Sequence, residues 1–179
     1  MILGLDVSTS ITGATVVDKD GAVVYTTAWD TRNKRHFPTL MAKALWVEGR
    51  LIDIGKKYKI EEVYIEQSLQ SFRSGFSSAK TLSTLSRYNG IISWICFQVF
   101  HREPDYLAAT SARKACGISI PRGMKAKQVV LKFLLDNEPT FKVEYTKQGN
   151  PKPDSYDRAD SIVIARAGYV EWMKRSSES

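Results

Sequence analysis

The first 30 residues consist of β-rich segments separated by turns, and this pattern restricts the fold more than any other feature of the chain. Residues 2–7, 14–18 and 22–27 are rich in aliphatic and β-branched side chains, which favour strands. The segment 8–13 reads as a turn, and the turn 18–21 is only four residues long and ends in Gly21. Strands joined by such short turns pair with their neighbours, so the pattern predicts a three-stranded meander.

The rest of the chain alternates predicted helices with short strands. Strands are expected at 63–66 and 106–109, and helices at about 38–59, 78–100, 111–114, 129–134 and from residue 155 onward, the fourth of them after a basic turn at 121–127. Strands that alternate with helices favour parallel pairing. The order therefore predicts an α/β fold with a mixed sheet, its later strands parallel and helices on both faces. With 179 residues and no linker-like segment, the chain is expected to form a single domain over 1–179.

The helical segments also predict which side chains are buried. The first helix should start at Pro38, whose missing N–H is harmless at that position. Its buried face is expected to comprise Met41, Ala44, Leu45, Leu51, Ile52 and Ile54. Cys96 lies in an apolar run and is expected in the core. The tryptophans Trp29, Trp46, Trp94 and Trp172 are expected in the core or at an interface.

The composition narrows the function by exclusion. Two cysteines cannot form a disulfide framework, neither is spaced for a zinc site, and two isolated histidines do not indicate a histidine-based triad. The formal net charge of +7 is compatible with a polyanionic partner such as nucleic acid, and equally with solubility alone. The longest apolar run is about half a membrane span, and no secretory signal opens the chain, so we expect a soluble intracellular protein.

Four carboxylates stand out by their positions. Asp6 and Glu66 each end a predicted strand, where open α/β sheets place their ligands. Asp157 and Asp160 are three residues apart at the start of the last helix and therefore share a face. Taken singly, Asp6 could be a turn residue and Glu66 could be a solvated residue at a strand end. Asp157 and Asp160 could simply stabilise the helix by lying near the positive end of its dipole. Asp154 competes with Asp157 as a cap or ligand.

Together, these carboxylates indicate a metal site. Acids that converge from separate elements repel one another unless a cation neutralises them. Oxygen ligands of this kind suit Mg²⁺ or Mn²⁺. Two such ions can activate a water and stabilise a leaving oxygen during phosphodiester cleavage, and the positive charge of the chain would then bind phosphates.

Three segments resemble the acidic motifs of the RuvC-type Holliday-junction resolvases, which belong to the RNase H-like nuclease superfamily. These segments are ILGLDVSTSITG (2–13), IEQ (65–67) and DRADSIVIA (157–165). The resemblance covers most of the chain in order, with similar spacing. It implies a five-stranded RNase H-like sheet, a homodimer and paired symmetric nicks in a four-way DNA junction. It also implies two Mg²⁺ per site, replaceable by Mn²⁺, with Asp6, Glu66, Asp157 and Asp160 as ligands.

The resemblance further implies which residues contact DNA. In such families the segment after the Glu and the helix behind it face the junction, and here their backbone contacts would be Arg73, Lys80 and Arg87. Arg113 and Arg122 are further candidates. A basic residue before a later helix assists catalysis, and both Lys125 and Lys127 fall there. The aromatic wedge of bacterial members is replaced by Leu69, with Phe72 and Phe76 as alternatives, and this divergence suggests a viral or otherwise distant member.

Three other functions share parts of this pattern. A nuclease of the same fold could act on RNA–DNA hybrids, branched DNA or structured RNA. Residues 3–10 also resemble the phosphate-binding strands of sugar kinases and actin-like ATPases, although those enzymes use two such domains and do not need Glu66 or the helical acids. A DNA-binding scaffold with a degenerate site is the third, but all four acids are present.

Overall fold

The computed structural model describes residues 1–67 and 79–178. Within these residues five strands and five helices follow one another in the predicted order. They are β1 (Ile2–Asp6), β2 (Ile11–Val17), β3 (Val23–Asp30), α1 (Leu40–Lys57), β4 (Glu62–Glu66), α2 (Ala79–Phe100), β5 (Asp105–Leu107), α3 (Ala109–Ala115), α4 (Ala126–Asn137) and α5 (Asp154–Ser177). The fold class predicted from the sequence, an α/β fold with a five-stranded mixed sheet, is confirmed.

The sheet has the strand order β3-β2-β1-β4-β5. β2 pairs antiparallel with β1 and β3, which confirms the meander, whereas β4 is parallel to both β1 and β5. Consequently β1, β3, β4 and β5 all end at the same edge of the sheet, which we call the carboxyl edge. The last strand is shorter than predicted, because Ala109 already belongs to α3.

The strand side chains alternate between two cores. Leu3, Leu5 and Ile65 point to the face covered by α1 and α2. Ile2, Val17 and Tyr64 point to the opposite face, which is covered by α3, α4 and α5. The sheet is thus buried on both sides, as the apolar strands predict.

The prediction for α1 was partly wrong. Ala44, Leu51 and Ile54 are buried together with Val47, but Met41, Leu45 and Ile52 are exposed, Leu45 by 68%. The helix also begins at Leu40 rather than at Pro38, because the Thr39 side chain accepts a hydrogen bond from the Ala42 N–H and caps it. Among the tryptophans, Trp29 is buried, Trp172 is half-buried, and Trp46 and Trp94 are exposed. Cys96 lies in the core, as predicted.

None of the helices in the described part of the chain is both long enough and apolar enough to cross a membrane.

Candidate active site

Asp6 and Glu66 lie at the carboxyl edge on neighbouring parallel strands. β1 and β4 pair with Leu5 opposite Ile65, so the two acids are the next residues on adjacent strands. Both follow the alternation that places Ile2 and Tyr64 on the face of α5. The two carboxylates therefore project from the sheet toward the helix that carries Asp157 and Asp160.

Two glycines bring α5 onto the sheet. A Cβ atom on Gly4 would lie 2.3 Å from the backbone N of Ala165, and one on Gly13 would lie 2.0 Å from the carbonyl O of Asp157. Only a residue without a side chain permits so close an approach. Gly13 pairs with Asp6 in the sheet, so this contact places the first turn of α5 directly beside Asp6.

A buried hydroxyl pair fixes α5 along the same strand. The Thr15 Oγ1 atom lies 2.7 Å from the Ser161 Oγ atom and 3.0 Å from the Thr26 Oγ1 atom. Ser161 also donates to the carbonyl O of Arg158. Because Ser161 follows Asp160, these bonds hold the acidic end of α5 in register with β2.

The four acids interact electrostatically. Burial raises the pKa of Asp6 well above its usual range, and the charges of Glu66, Asp160 and Asp157 raise it further. Burial and then Asp160 raise the pKa of Glu66 to about 7. Burial raises the pKa of Asp157 to about 6, with a contribution from Asp160, and burial also raises the pKa of Asp160. The arrangement would therefore gain free energy from a bound cation.

The alternative roles for these acids are less well supported. In the β1–β2 turn it is the Ser8 Oγ atom that accepts hydrogen bonds from the backbone N–H groups of Ser10 and Ile11, so the turn does not require Asp6 as its side-chain acceptor. Asp154 is the first residue of α5, and its charge acts on Asp157. Asp160 is only 15% exposed and therefore is not a solvated helix residue.

The donor set fits a hard divalent cation. All four groups are carboxylates, the preferred ligands of Mg²⁺ and Mn²⁺, and burial together with the charges of neighbouring acids raises the pKa values of Asp6 and Glu66. Within residues 1–67 and 79–178, no three His, Cys, Asp or Glu side chains are placed to hold a metal ion as they stand.

Lys127 and Arg113 supply positive charge to this site. The Lys127 Nζ atom lies 3.8 Å from the Asp160 Oδ2 atom. Burial lowers the pKa of Lys127, but the charges of the four acids raise it more. Arg113, on α3, helps to lower the pKa values of Glu66 and Asp160. Of the two lysines left open by the sequence, Lys127 therefore lies beside the acids, while Lys125 precedes α4 as its exposed capping residue.

The other candidate DNA contacts are placed less completely. Lys80 and Arg87 are exposed on the first half of α2, and Arg122 is exposed in the loop before α4. Phe100, at the far end of α2, packs against Gly55 near the end of α1, so the first half of α2 points toward the carboxyl edge. Leu69, Phe72, Arg73 and Phe76 lie outside the described residues.

Two features of the site were missed from the sequence. The close approach of α5 depends on Gly4 and Gly13, and glycine within a strand is a recognised signal for such an approach. The basic loop between β3 and α1 also starts at the carboxyl edge, since Asp30 is paired with Ile11. Its run of cations was visible in the sequence, but its position became clear only from the sheet order.

Comparison with solved structures identifies a RuvC-type fold. Thermus thermophilus RuvC bound to a Holliday-junction substrate matches with a TM-score of 0.64 and 15% identity, over 96% of this chain and 94% of that one. A second structure of the same protein matches with a TM-score of 0.61 and 15% identity, over 97% of this chain and 96% of that one. The yeast mitochondrial Holliday-junction resolvase Ydc2 matches with a TM-score of 0.59 and 14% identity, over 99% of this chain and 80% of that one. No family model matches the sequence, and no similar sequence was found among curated proteins.

Proposed function

We propose that this protein is a metal-dependent endonuclease that resolves four-way DNA junctions by paired symmetric nicks. The observation that carries the proposal is the gathering of four carboxylates from β1, β4 and α5 at one sheet edge, where burial raises all four pKa values and the charges of neighbouring acids further raise those of Asp6, Glu66 and Asp157. The fold shared with RuvC, including RuvC in complex with a junction, supports this choice among phosphodiesterases.

In this proposal Asp6, Glu66, Asp157 and Asp160 hold two Mg²⁺ ions, which Mn²⁺ can replace. Such a pair, when bound, supplies a nucleophilic water and stabilises the leaving oxygen of an in-line displacement. The protein's own contribution is to fix the carboxylates. Asp6 and Glu66 are fixed by sheet pairing, and the helical acids by the contact of α5 with Gly13.

Lys127 and Arg113 are proposed to act on the phosphate. Lys127 is 60% exposed and can reach a bound backbone while it stays near Asp160. A cation at this position would stabilise the charge that develops on the phosphoryl oxygens in the transition state. Arg113, on α3, acts electrostatically on Glu66 and Asp160, and it can position the same phosphate.

The DNA arms would lie along the carboxyl edge. Lys80 and Arg87 on α2 and Arg122 before α4 are exposed and are available as backbone contacts. Arg73 keeps its proposed role as a backbone contact, and Leu69, Phe72 and Phe76 remain the candidates for the wedge that opens the junction.

Paired nicks require two active sites, so we propose that the protein works as a homodimer through the outer faces of α1 and α2. Met41, Leu45 and Ile52 form an exposed stripe on α1. On the exposed face of α2, the centres of the Trp94 and Phe97 rings lie 5.9 Å apart. Large exposed apolar patches mark interfaces. Sedimentation should show a dimer for the wild type, a monomer for Leu45→Glu combined with Trp94→Glu, and a dimer for the control Met173→Glu.

The direct test is cleavage of labelled four-way, Y-shaped, duplex and RNA–DNA hybrid substrates in Mg²⁺ and Mn²⁺. Symmetric nicks in the four-way junction, with intact duplex, are expected. Cleavage of hybrids by a monomer that leaves junctions intact would replace this proposal with a ribonuclease function on the same acids.

A further inference from the structure

The loop between β3 and α1, residues 31–38, carries cations that the active site does not use. Arg32, Lys34 and Arg35 lie within four residues of one another, and this segment contains no acidic residue. Arg32 forms an ion pair with Asp30, but no described acid forms an ion pair with Lys34 or Arg35, and both side chains are exposed. This is the pattern of a surface that lacks its anionic partner.

The loop lies at the carboxyl edge, which is the end of the sheet that also carries the acids. Its first residue, Thr31, is buried and donates from its backbone N–H to the carbonyl O of Ser10 at 2.8 Å. β3 is two strands away from β1, which corresponds to about 10 Å. Hydrogen bonds to Asp30 are the main reason that the pKa of Arg32 is raised, but Asp157 and Asp154 also contribute, so the loop lies within the electrostatic range of the acids.

The loop is held in a defined shape. The Asn33 side chain accepts a hydrogen bond from the Arg35 N–H, and the Asn33 carbonyl accepts from the N–H groups of His36 and Phe37. The centres of the Phe37 and Trp46 rings lie 5.8 Å apart. The Arg50 guanidinium in turn lies 4.7 Å from the centre of the Trp46 ring. A loop whose backbone is already ordered loses less conformational entropy on binding than a mobile one.

Trp46 and Arg50 lie on a different side of α1 from the proposed dimer stripe. At 100° per residue, Leu45 and Ile52 are about 20° apart around the helix, whereas Trp46 is about 100° from Leu45 in the direction away from Ile52. The loop and its aromatic support can therefore stay accessible in the dimer.

We infer that the β3–α1 loop is a second phosphate-binding surface, which uses Lys34 and Arg35 to hold the backbone of one DNA arm beside the active site. This inference rests on the proposed function, since it assumes a DNA substrate at the acids. The loop would thus bind phosphates that flank the scissile one on the same arm.

The test compares Lys34→Gln combined with Arg35→Gln against a control with the same charge loss, Lys19→Gln combined with Lys59→Gln. Lys19 and Lys59 are exposed and lie toward the opposite edge of the sheet. Junction binding is measured in Ca²⁺ over a series of NaCl concentrations. The loop variant should reduce the slope of log K against log [salt] by about 1.8, or 0.9 for each lost phosphate contact, while the control changes it little.

A second arm locates the contact. Neutral methylphosphonate linkages are placed one at a time at successive positions beside the cut, and at least one of them should weaken binding by the wild type but not by the loop variant. The inference is overturned if the loop variant and the control behave alike while the wild type still cleaves junctions. It is also overturned if the loop variant alters the oligomeric state instead, which would make the loop an interface between copies. A wild type that neither binds nor cleaves junctions overturns the proposed function as well.

Discussion

The Lys127 Nζ atom lies 3.8 Å from the Asp160 Oδ2 atom, and in the part of the chain that the structure describes this is the only ion pair formed by any of the four acids. The contact connects α4 to the acidic end of α5. It places one positive charge beside four carboxylates, so the remaining negative charge favours the binding of divalent cations.

Replacement of Lys127 by Met should lower the cleavage rate at saturating DNA by about 10²-fold, because one preorganised donor to the transition state is lost. Lys125→Met is the matched control, since it removes the same charge two residues away from an exposed position. Single-turnover cleavage measures the difference. Equal losses in both variants would assign Lys127 to general DNA binding.

Asp6→Asn should abolish Mg²⁺-dependent cleavage but preserve junction binding, because it removes a ligand without removing any positive charge. Gel-shift assays in Ca²⁺ and cleavage assays in Mg²⁺ separate the two effects. Full cleavage by this variant would refute the proposed metal site.

Without divalent ions, the protein should become less stable as the pH rises from about 4 to about 7. The pKa of Asp157 is raised from 3.8 to about 6 and that of Glu66 from 4.5 to about 7, so the folded state binds more protons than the unfolded state in this window. Their favourable contribution is complete below the unfolded pKa values and is lost as the pH passes the folded ones. Urea titrations should show a shallower dependence for Glu66→Gln; an identical dependence would contradict the assigned repulsion.

Mg²⁺ should stabilise the protein more at pH 8 than at pH 5, because the carboxylates are protonated at the lower pH. At a concentration 100 times the dissociation constant the gain is about 2.7 kcal/mol, or roughly 5–10 °C in Tm. Differential scanning calorimetry measures the shift. The Asp6→Asn variant should show a smaller one, and a shift of the same size at both pH values would indicate binding elsewhere.

Gly13→Ala should destabilise the fold by about 1–3 kcal/mol, because its Cβ would lie 2.0 Å from the Asp157 carbonyl O. Gly49→Ala is the contrasting control: nothing lies within 4 Å of its Cβ position in α1, so it should stabilise the helix by roughly 0.5–1 kcal/mol. Chemical denaturation gives both values. If Gly13→Ala were neutral, α5 would not rest on the sheet as described.

The fold and the acids could be predicted because their signals are local. Turn residues, apolar alternation and strand-ending carboxylates can be recognised without knowledge of the tertiary structure, and they indicated the meander and the carboxyl edge. Burial of α1 could not be predicted in the same way, since Met41 and Leu45 are as apolar as Ala44 and Leu51, and the positions of the sheet and of α2 decide which are covered. The choice between Lys125 and Lys127 likewise depends on how α4 packs beside α5.

The contacts of Gly4 with Ala165 and of Gly13 with Asp157 mean that main-chain atoms, rather than large side chains, set the spacing between sheet and helix. Many different sequences can therefore encode the same spacing, provided that these few small residues accompany the acids. Spacing of this kind does not depend on overall sequence identity, which is only 14–15% between this chain and the solved resolvases whose fold it shares. Chains with the same arrangement should be sought by this combination of small residues and acids.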